Sequence, residues 1–142
     1  MSETVAGRRV VRAGAARFLP YDLEGPVQPE MSWLPVSYDR AAGVGCYLIR
    51  MRPGAATLAH EHAGVEDFLV LEGELTDSDG TVFRAGDFVG YAPGTRHNSW
   101  TGPGRLIAVF EWRKPAPPLP SGRRRRPRSG EALTSNRAAG CR

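Results

Sequence analysis

Gly54-Ala55-Ala56-Thr57-Leu58-Ala59-His60-Glu61-His62-Ala63-Gly64-Val65-Glu66, continuing through Asp67-Phe68-Leu69-Val70-Leu71-Glu72 to Gly73, is the stretch on which the fold of this chain turns. It holds two of the chain's three histidines, one residue apart. Side chains at i and i+2 of a β-strand share a face, so an extended segment ending here projects His60 and His62 side by side to one point. Glu66, beyond a Gly64-containing turn, can reach the same point, and the third histidine, His97, can close the set from a strand across a barrel. Three neutral imidazoles and one carboxylate suit Fe(II), Mn, Ni, Cu or Zn and suit Mg or Ca poorly, because those ions prefer all-oxygen shells. Singly, each residue has an ordinary reading as a polar surface histidine or a solvated turn acid. The pattern rests on all three histidines being drawn into one set, two of them on a shared strand face.

Outward from this stretch the chain is patterned for short strands. Apolar residues do not recur at helical spacing over any long window, and Gly or Pro interrupts the chain at short intervals. Strands are expected at 45–52, 57–60, 67–76, 81–83, 87–91, 97–100 and 105–112, with weaker ones at 8–12 and 33–38. Between them Pro53-Gly54, Ser78-Asp79-Gly80, Ala85-Gly86-Asp87, Pro93-Gly94 and Thr101-Gly102-Pro103-Gly104 supply the fixed or positive φ of tight turns. Asp87 is expected to fix its turn through a side-chain to backbone hydrogen bond rather than to take part in chemistry. Many short, evenly spaced strands imply an all-β sandwich or barrel. Residues 1–44 read as an N-terminal arm with the first strands, the irregular part at 13–44 carrying Pro20, Pro26, Pro29 and Pro35 and packing across the sheets or onto a second subunit. Residues 45–113 read as the barrel core with the metal site.

The composition, 142 residues with 41% hydrophobic and 24% charged, describes one soluble core that needs neither disulfide nor metal to hold together. The formal charge of +4 is unevenly spread. Residues 1–113 carry 11 Lys and Arg against 14 Asp and Glu, a net of −3, whereas residues 114–142 carry 8 against 1, a net of +7. The folded part is therefore mildly acidic, which excludes a basic nucleic-acid-binding domain. The Pro- and Arg-rich tail has almost nothing to bury and reads as disordered. Its Arg123–Arg128 run supports at most a weak contact with polyanions, and the plainer reading is a solvated tail. Cys46 and Cys141 are far apart with no ligand-spaced partner, so neither a disulfide framework nor thiolate metal chemistry follows. Glu3 stands where a signal peptide needs positive charge, and no apolar run reaches the length of a membrane span; a cytoplasmic location is the expectation.

The spacing of Gly54, His60, His62, Glu66 and Gly73 resembles, without a gap, the first motif of the cupins, G-x5-H-x-H-x3/4-E-x6-G. Gly86, Gly94 and His97 meet the second, G-x5-P-x-G-x2-H-x3-N, with two departures: Pro93 directly precedes Gly94, and Thr101 takes the place of the terminal Asn. Within the cupins, residues 66–97 look most like the ChrR-type branch, which includes the metal-binding domain of an anti-sigma factor and small diketone-cleaving dioxygenases. The resemblance implies a single-domain double-stranded β-helix, the jelly-roll barrel, with His60, His62, Glu66 and His97 as ligands of one divalent transition metal, Fe(II) or Zn foremost. It also suggests a homodimer, in keeping with the need of a small sandwich to cover its edge strands. Phe68 and Val70 share parity with Glu66 and are expected to face the cavity, with Tyr91, Arg96 and Trp100 near its mouth. Two functions follow. One is a metal-dependent dioxygenase acting on a small carbonyl or enol compound bound at open coordination positions; the other is a Zn-binding sensor or regulatory module without redox chemistry.

Overall fold

The computed structural model describes residues 2–113. Strands β1 (Ser2–Val5) and β2 (Arg8–Val11) form a separate hairpin. A single 3-10 turn (Ala13–Ala15) leads to β3 (Leu19–Tyr21), β4 (Gln28–Asp39) and β5 (Val44–Met51). Next come β6 (His60–Glu61), β7 (Val65–Asp77), β8 (Val82–Arg84), β9 (Phe88–Tyr91), β10 (Arg96–His97), β11 (Ser99–Trp100) and β12 (Arg105–Arg113). The main sheet runs β11-β7-β12-β5-β4-β3, with β8 and β9 also pairing to β7, and β6 pairs with β10 alone. Every strand pairing among the described residues is antiparallel, so the chain is all-β, as the turn spacing implied, and it has the jelly-roll form that the resemblance implied.

β12 lies between β5 and β7 and shows how alternation builds the two faces. Arg105, Ile107 and Val109 point into the barrel, where Ile107 and Val109 pack with Trp33, Tyr47, Ile49, Phe68, Val70 and Leu75. Ala108 belongs to a second cluster with Leu34 and Leu48 on the outer face, against which Val11, Ala13, Ala16 and Phe18 pack. The N-terminal segment thus covers the back of the sheet.

β7 turns the sandwich into a barrel. Its first part pairs with β9 and β12, its last part with β8 and β11. The change of partner falls at Gly73, whose φ of +78° is left-handed and where a Cβ would stand 2.0 Å from the Gly104 carbonyl oxygen. Only glycine allows both the conformation and the approach. The inward set shifts parity across this point, from Phe68 and Val70 to Leu75 and Asp77.

Several elements differ from the sequence reading. Residues 28–39, within the arm in which only a weaker strand at 33–38 was expected, form a twelve-residue strand paired to β5 from Met31 to Asp39, and Pro35 is absorbed by a register shift. Met31 and Trp33 supply the buried alternation that the surrounding prolines obscure. The strand expected at 97–100 is divided into β10 and β11, and that at 57–60 shrinks to β6. Asp87 does what its turn requires, its Oδ2 accepting the Arg84 N–H at 2.8 Å. The tail at 114–142, including Arg123–Arg128 and Cys141, lies outside the described residues.

Candidate metal centre

β6 and β10 place the histidines. Their short pairing sets His60 directly opposite His97, and His62 follows β6 with its backbone N–H on the Thr95 carbonyl. The Gly94 N–H returns to the His62 carbonyl at 2.8 Å, so the turn of the second motif is tied to the end of the first. One ligand atom from each of His60, His62 and His97 lies within 4.8 Å of the others. The ring nitrogens are held in a consistent sense. With its proton on Nδ1, His60 donates to the Leu58 carbonyl at 2.8 Å and His97 donates to Asp77 Oδ1 at 2.8 Å. His62 Nδ1 stands 3.4 Å from Glu66 Oε2. All three Nε2 atoms are left for one centre, those of His62 and His97 being 2.8 Å apart. Two lone pairs so close repel unless a proton or a cation lies between them, so the donor set fits a divalent transition ion.

The surroundings tune these rings. Burial pulls the His62 imidazole down, but the hydrogen bond and charge of Glu66, with Glu24 and Glu111 behind them, leave it above its ordinary value. For His97 burial prevails over Asp77, the nearby His60 and His62 add to it, and the ring is held below its ordinary value. Burial pushes Asp77 up, yet hydrogen bonds from Tyr91, His97 and the Ser78 N–H leave it below the usual carboxylate range. Tyr91 lies parallel to His62 at 4.8 Å between ring centroids and donates its hydroxyl to Asp77 Oδ2 at 2.7 Å. Glu24, in the loop between β3 and β4, stands with Oε1 3.5 Å from His60 Nε2. Burial raises its carboxyl above the ordinary value, against the pull of His60.

Three spaces meet at the histidines. An interior cavity of about 30 Å³ is walled by Ile49, Phe68, Leu75 and Ile107 and reaches His60, His97, Glu24, Glu66 and Arg105. An outer cleft of about 370 Å³ is lined by Glu24, His60, Glu61, His62, Glu66 and Glu111. A second, more open one includes His60, His97 and Arg96. Arg105 is fully enclosed, its guanidinium lowered to about 10 by burial.

His60, His62 and His97 converge, and Glu66, with Oε2 3.4 Å from His62 Nδ1, lines both the interior cavity and the outer cleft beside them. Phe68 walls the interior cavity; Val70 is buried in the core alongside it. Tyr91 touches the site through its ring, Arg96 pairs with Glu61 at 3.3 Å on the surface, and Trp100 is exposed on β11. Glu24 and Asp77 went unnoticed in the sequence. Asp77 had a signal, since an acid continuing the Leu75 alternation is a buried acid; Glu24 had none.

No curated protein matches the chain by sequence. Among solved structures, an RmlC-like cupin from Shewanella frigidimarina is 20% identical over 71% of this chain and 87% of its own, with a TM-score of 0.57. An acetylacetone dioxygenase from Acinetobacter johnsonii is 12% identical over 77% of each chain, with a TM-score of 0.59. A chain from the complex of Rhodobacter sphaeroides SigE with the anti-sigma ChrR is 21% identical over 70% of this chain and 51% of that one, with a TM-score of 0.54. At such identities these likenesses speak to the fold. The family model described as the ChrR cupin-like domain matches residues 8–115, which takes in the whole barrel and its three converging histidines, and the chain belongs to that family.

Proposed function

We propose that the protein is a mononuclear metal-dependent dioxygenase acting on a small carbonyl or enol compound, with His60, His62, Glu66 and His97 holding one divalent transition metal. The observation that carries this reading is the meeting of one ring nitrogen from each of His60, His62 and His97 where a cavity of about 30 Å³ adjoins a cleft of about 370 Å³. The inner space is of the size of one water or a diatomic molecule, and the outer one is of the size that takes a small organic ligand. The bound metal, Fe(II) in this reading, supplies the Lewis acid for an enolate and the redox partner for O₂; Zn, Mn, Ni and Cu also suit the donors.

The chain's own residues supply the rest. Asp77 and the Leu58 carbonyl hold Nδ1 of His97 and His60, which aims their Nε2 atoms inward. Ile49, Phe68, Leu75 and Ile107 form the apolar part of the wall of the inner space. An enol entering by the outer cleft meets carboxylates that can take its proton, Glu24 standing 3.5 Å from His60 there. The net reaction breaks one carbon–carbon bond and leaves both atoms of O₂ in the products, so no external reductant is required.

The test is elemental analysis of protein purified without a His-tag, followed by oxygen uptake of the Fe(II)-loaded protein with β-diketones and hydroxyaryl ketones. Uptake in proportion to substrate consumed is expected. No uptake from a fully loaded sample, with Zn in the protein as purified, points instead to a Zn-binding regulatory module. The same reading places the protein in the cytoplasm as a homodimer that binds a small molecule; no helix among the described residues is long and apolar enough to cross a membrane.

A further inference from the structure

Among the residues lining the interior cavity Arg105 is the one Arg or Lys, and the barrel gives its charge no partner. β12 carries it between Met51 of β5 and Gly73 of β7, pointing inward and only 6% exposed. Its Nε donates to Met51 Sδ at 2.6 Å, a weak acceptor. Nη1 is buried with no hydrogen-bond partner among the described residues, and none of their carboxylates forms an ion pair with the guanidinium. Burial lowers the group to about 10, so it stays charged at neutral pH. Replacing a buried charge by an apolar side chain of similar volume is often neutral or stabilising. The core therefore gains nothing from Arg105, whereas a ligand with an anionic oxygen does.

The other charges on the cavity wall are Glu24 and Glu66, each set against a histidine. Glu24 Oε1 is 3.5 Å from His60 Nε2, and Glu66 Oε2 is 3.4 Å from His62 Nδ1. Glu24 Oε2 is also buried without a partner, and the two carboxylates together are matched by a divalent ion at the histidines. That leaves the guanidinium as one positive charge in excess, which one monoanion balances. The cavity of about 30 Å³ reaches His60 and His97 as well as Arg105, so a molecule that meets both the metal and the guanidinium is short. A 3-oxo acid meets these demands and keeps an enolisable carbon between its two polar groups.

We propose that Arg105 binds the carboxylate of the substrate, and that the substrate is a short 3-oxo acid whose carbonyl oxygen sits at the metal. The proposal rests on the metal-dependent reading above and makes Arg105 the residue that separates acids from neutral diketones.

Acetoacetate and acetylacetone are the probes, because they differ by an O⁻ in place of a methyl group. Binding of each to the Zn-loaded protein, in which no oxygen chemistry runs, is measured by isothermal titration calorimetry for wild type, R105K and R105M. Thermal unfolding of the metal-free proteins is recorded alongside. Wild type is expected to bind acetoacetate about 10–100-fold more tightly than acetylacetone, the worth of a charge-assisted hydrogen bond. R105M should lose that preference while its acetylacetone affinity and Zn content stay at the wild-type level. Its metal-free form should unfold at or above the wild-type temperature. R105K, which keeps the charge and loses the planar fork, should fall between the two.

Equal affinity of wild type for the two compounds overturns the proposal, and so does an R105M that binds both as wild type does or loses both alike. Should R105M not fold, the wild-type ratio and its reduction in R105K decide. Acetoacetate bound through Arg105 without oxygen uptake by the Fe(II) form overturns the dioxygenase reading and leaves this assignment standing. A wild type that takes up no Zn overturns the metal reading and this inference with it.

Discussion

Asp77 carries much of the order at the site. Its carboxylate accepts from His97 Nδ1, the Tyr91 hydroxyl and the Ser78 N–H, and these partners hold it below its ordinary value. A carboxyl lowered on folding contributes stability that is present above its unfolded pKa of about 3.9 and is lost as the pH falls through the lower folded value. Asp77→Asn should therefore cost about 1–3 kcal/mol at neutral pH and flatten the acid side of the stability curve, measured by urea unfolding between pH 3 and pH 7, about the range that brackets this titration. His62 behaves in the opposite sense. Its pKa is raised chiefly by Glu66, against burial, and only the neutral ring binds metal. Metal affinity should begin to fall on acidification while a free imidazole is still neutral, and Glu66→Gln should move that onset to lower pH; equilibrium dialysis with Zn reads both. His62→Ala should abolish stoichiometric metal and leave the circular dichroism of the barrel in place, because the core does not run through that residue.

At the scale of the element, β7 and its glycine matter most. The alternation of Phe68 and Val70 was legible, and both are buried as parity required. The change of parity beyond Glu72 was not legible, because it depends on the chain switching partners at Gly73. A side chain there must adopt a left-handed φ, which costs about 1–3 kcal/mol, and must also displace the Gly104 backbone. Gly73→Ala should lower the midpoint of thermal unfolding by many degrees or prevent folding. Leu75→Ala, two residues along in the shared core, should cost about 2–5 kcal/mol in chemical denaturation. β4 was legible in part: a weaker strand was expected at 33–38 in an arm that four prolines made look irregular, but Met31 and Trp33 bury against the barrel and the strand runs from Gln28 to Asp39 around its prolines.

At the scale of the whole molecule, charge and surface divide the chain. The net positive charge belongs to residues 114–142, and the family match ends at residue 115. Deleting residues 116–142 should leave metal content and thermal unfolding unchanged. Phe88 on β9 and Trp112 on β12, both more than half exposed, flank β7. If the proposed homodimer forms through these two side chains, Phe88→Glu should convert it to a monomer in sedimentation velocity with metal content retained. The sequence by itself determined the all-β class, the turns and the three histidines, because these are written in short-range spacing: residues two apart on a strand share a face whatever the rest of the chain does. Only the tertiary structure decided which acids meet those histidines. Glu24 and Asp77 arrive from β-strands and loops distant in the chain, and their place beside His60 and His97 exists only once β4, β7 and β10 have closed the barrel.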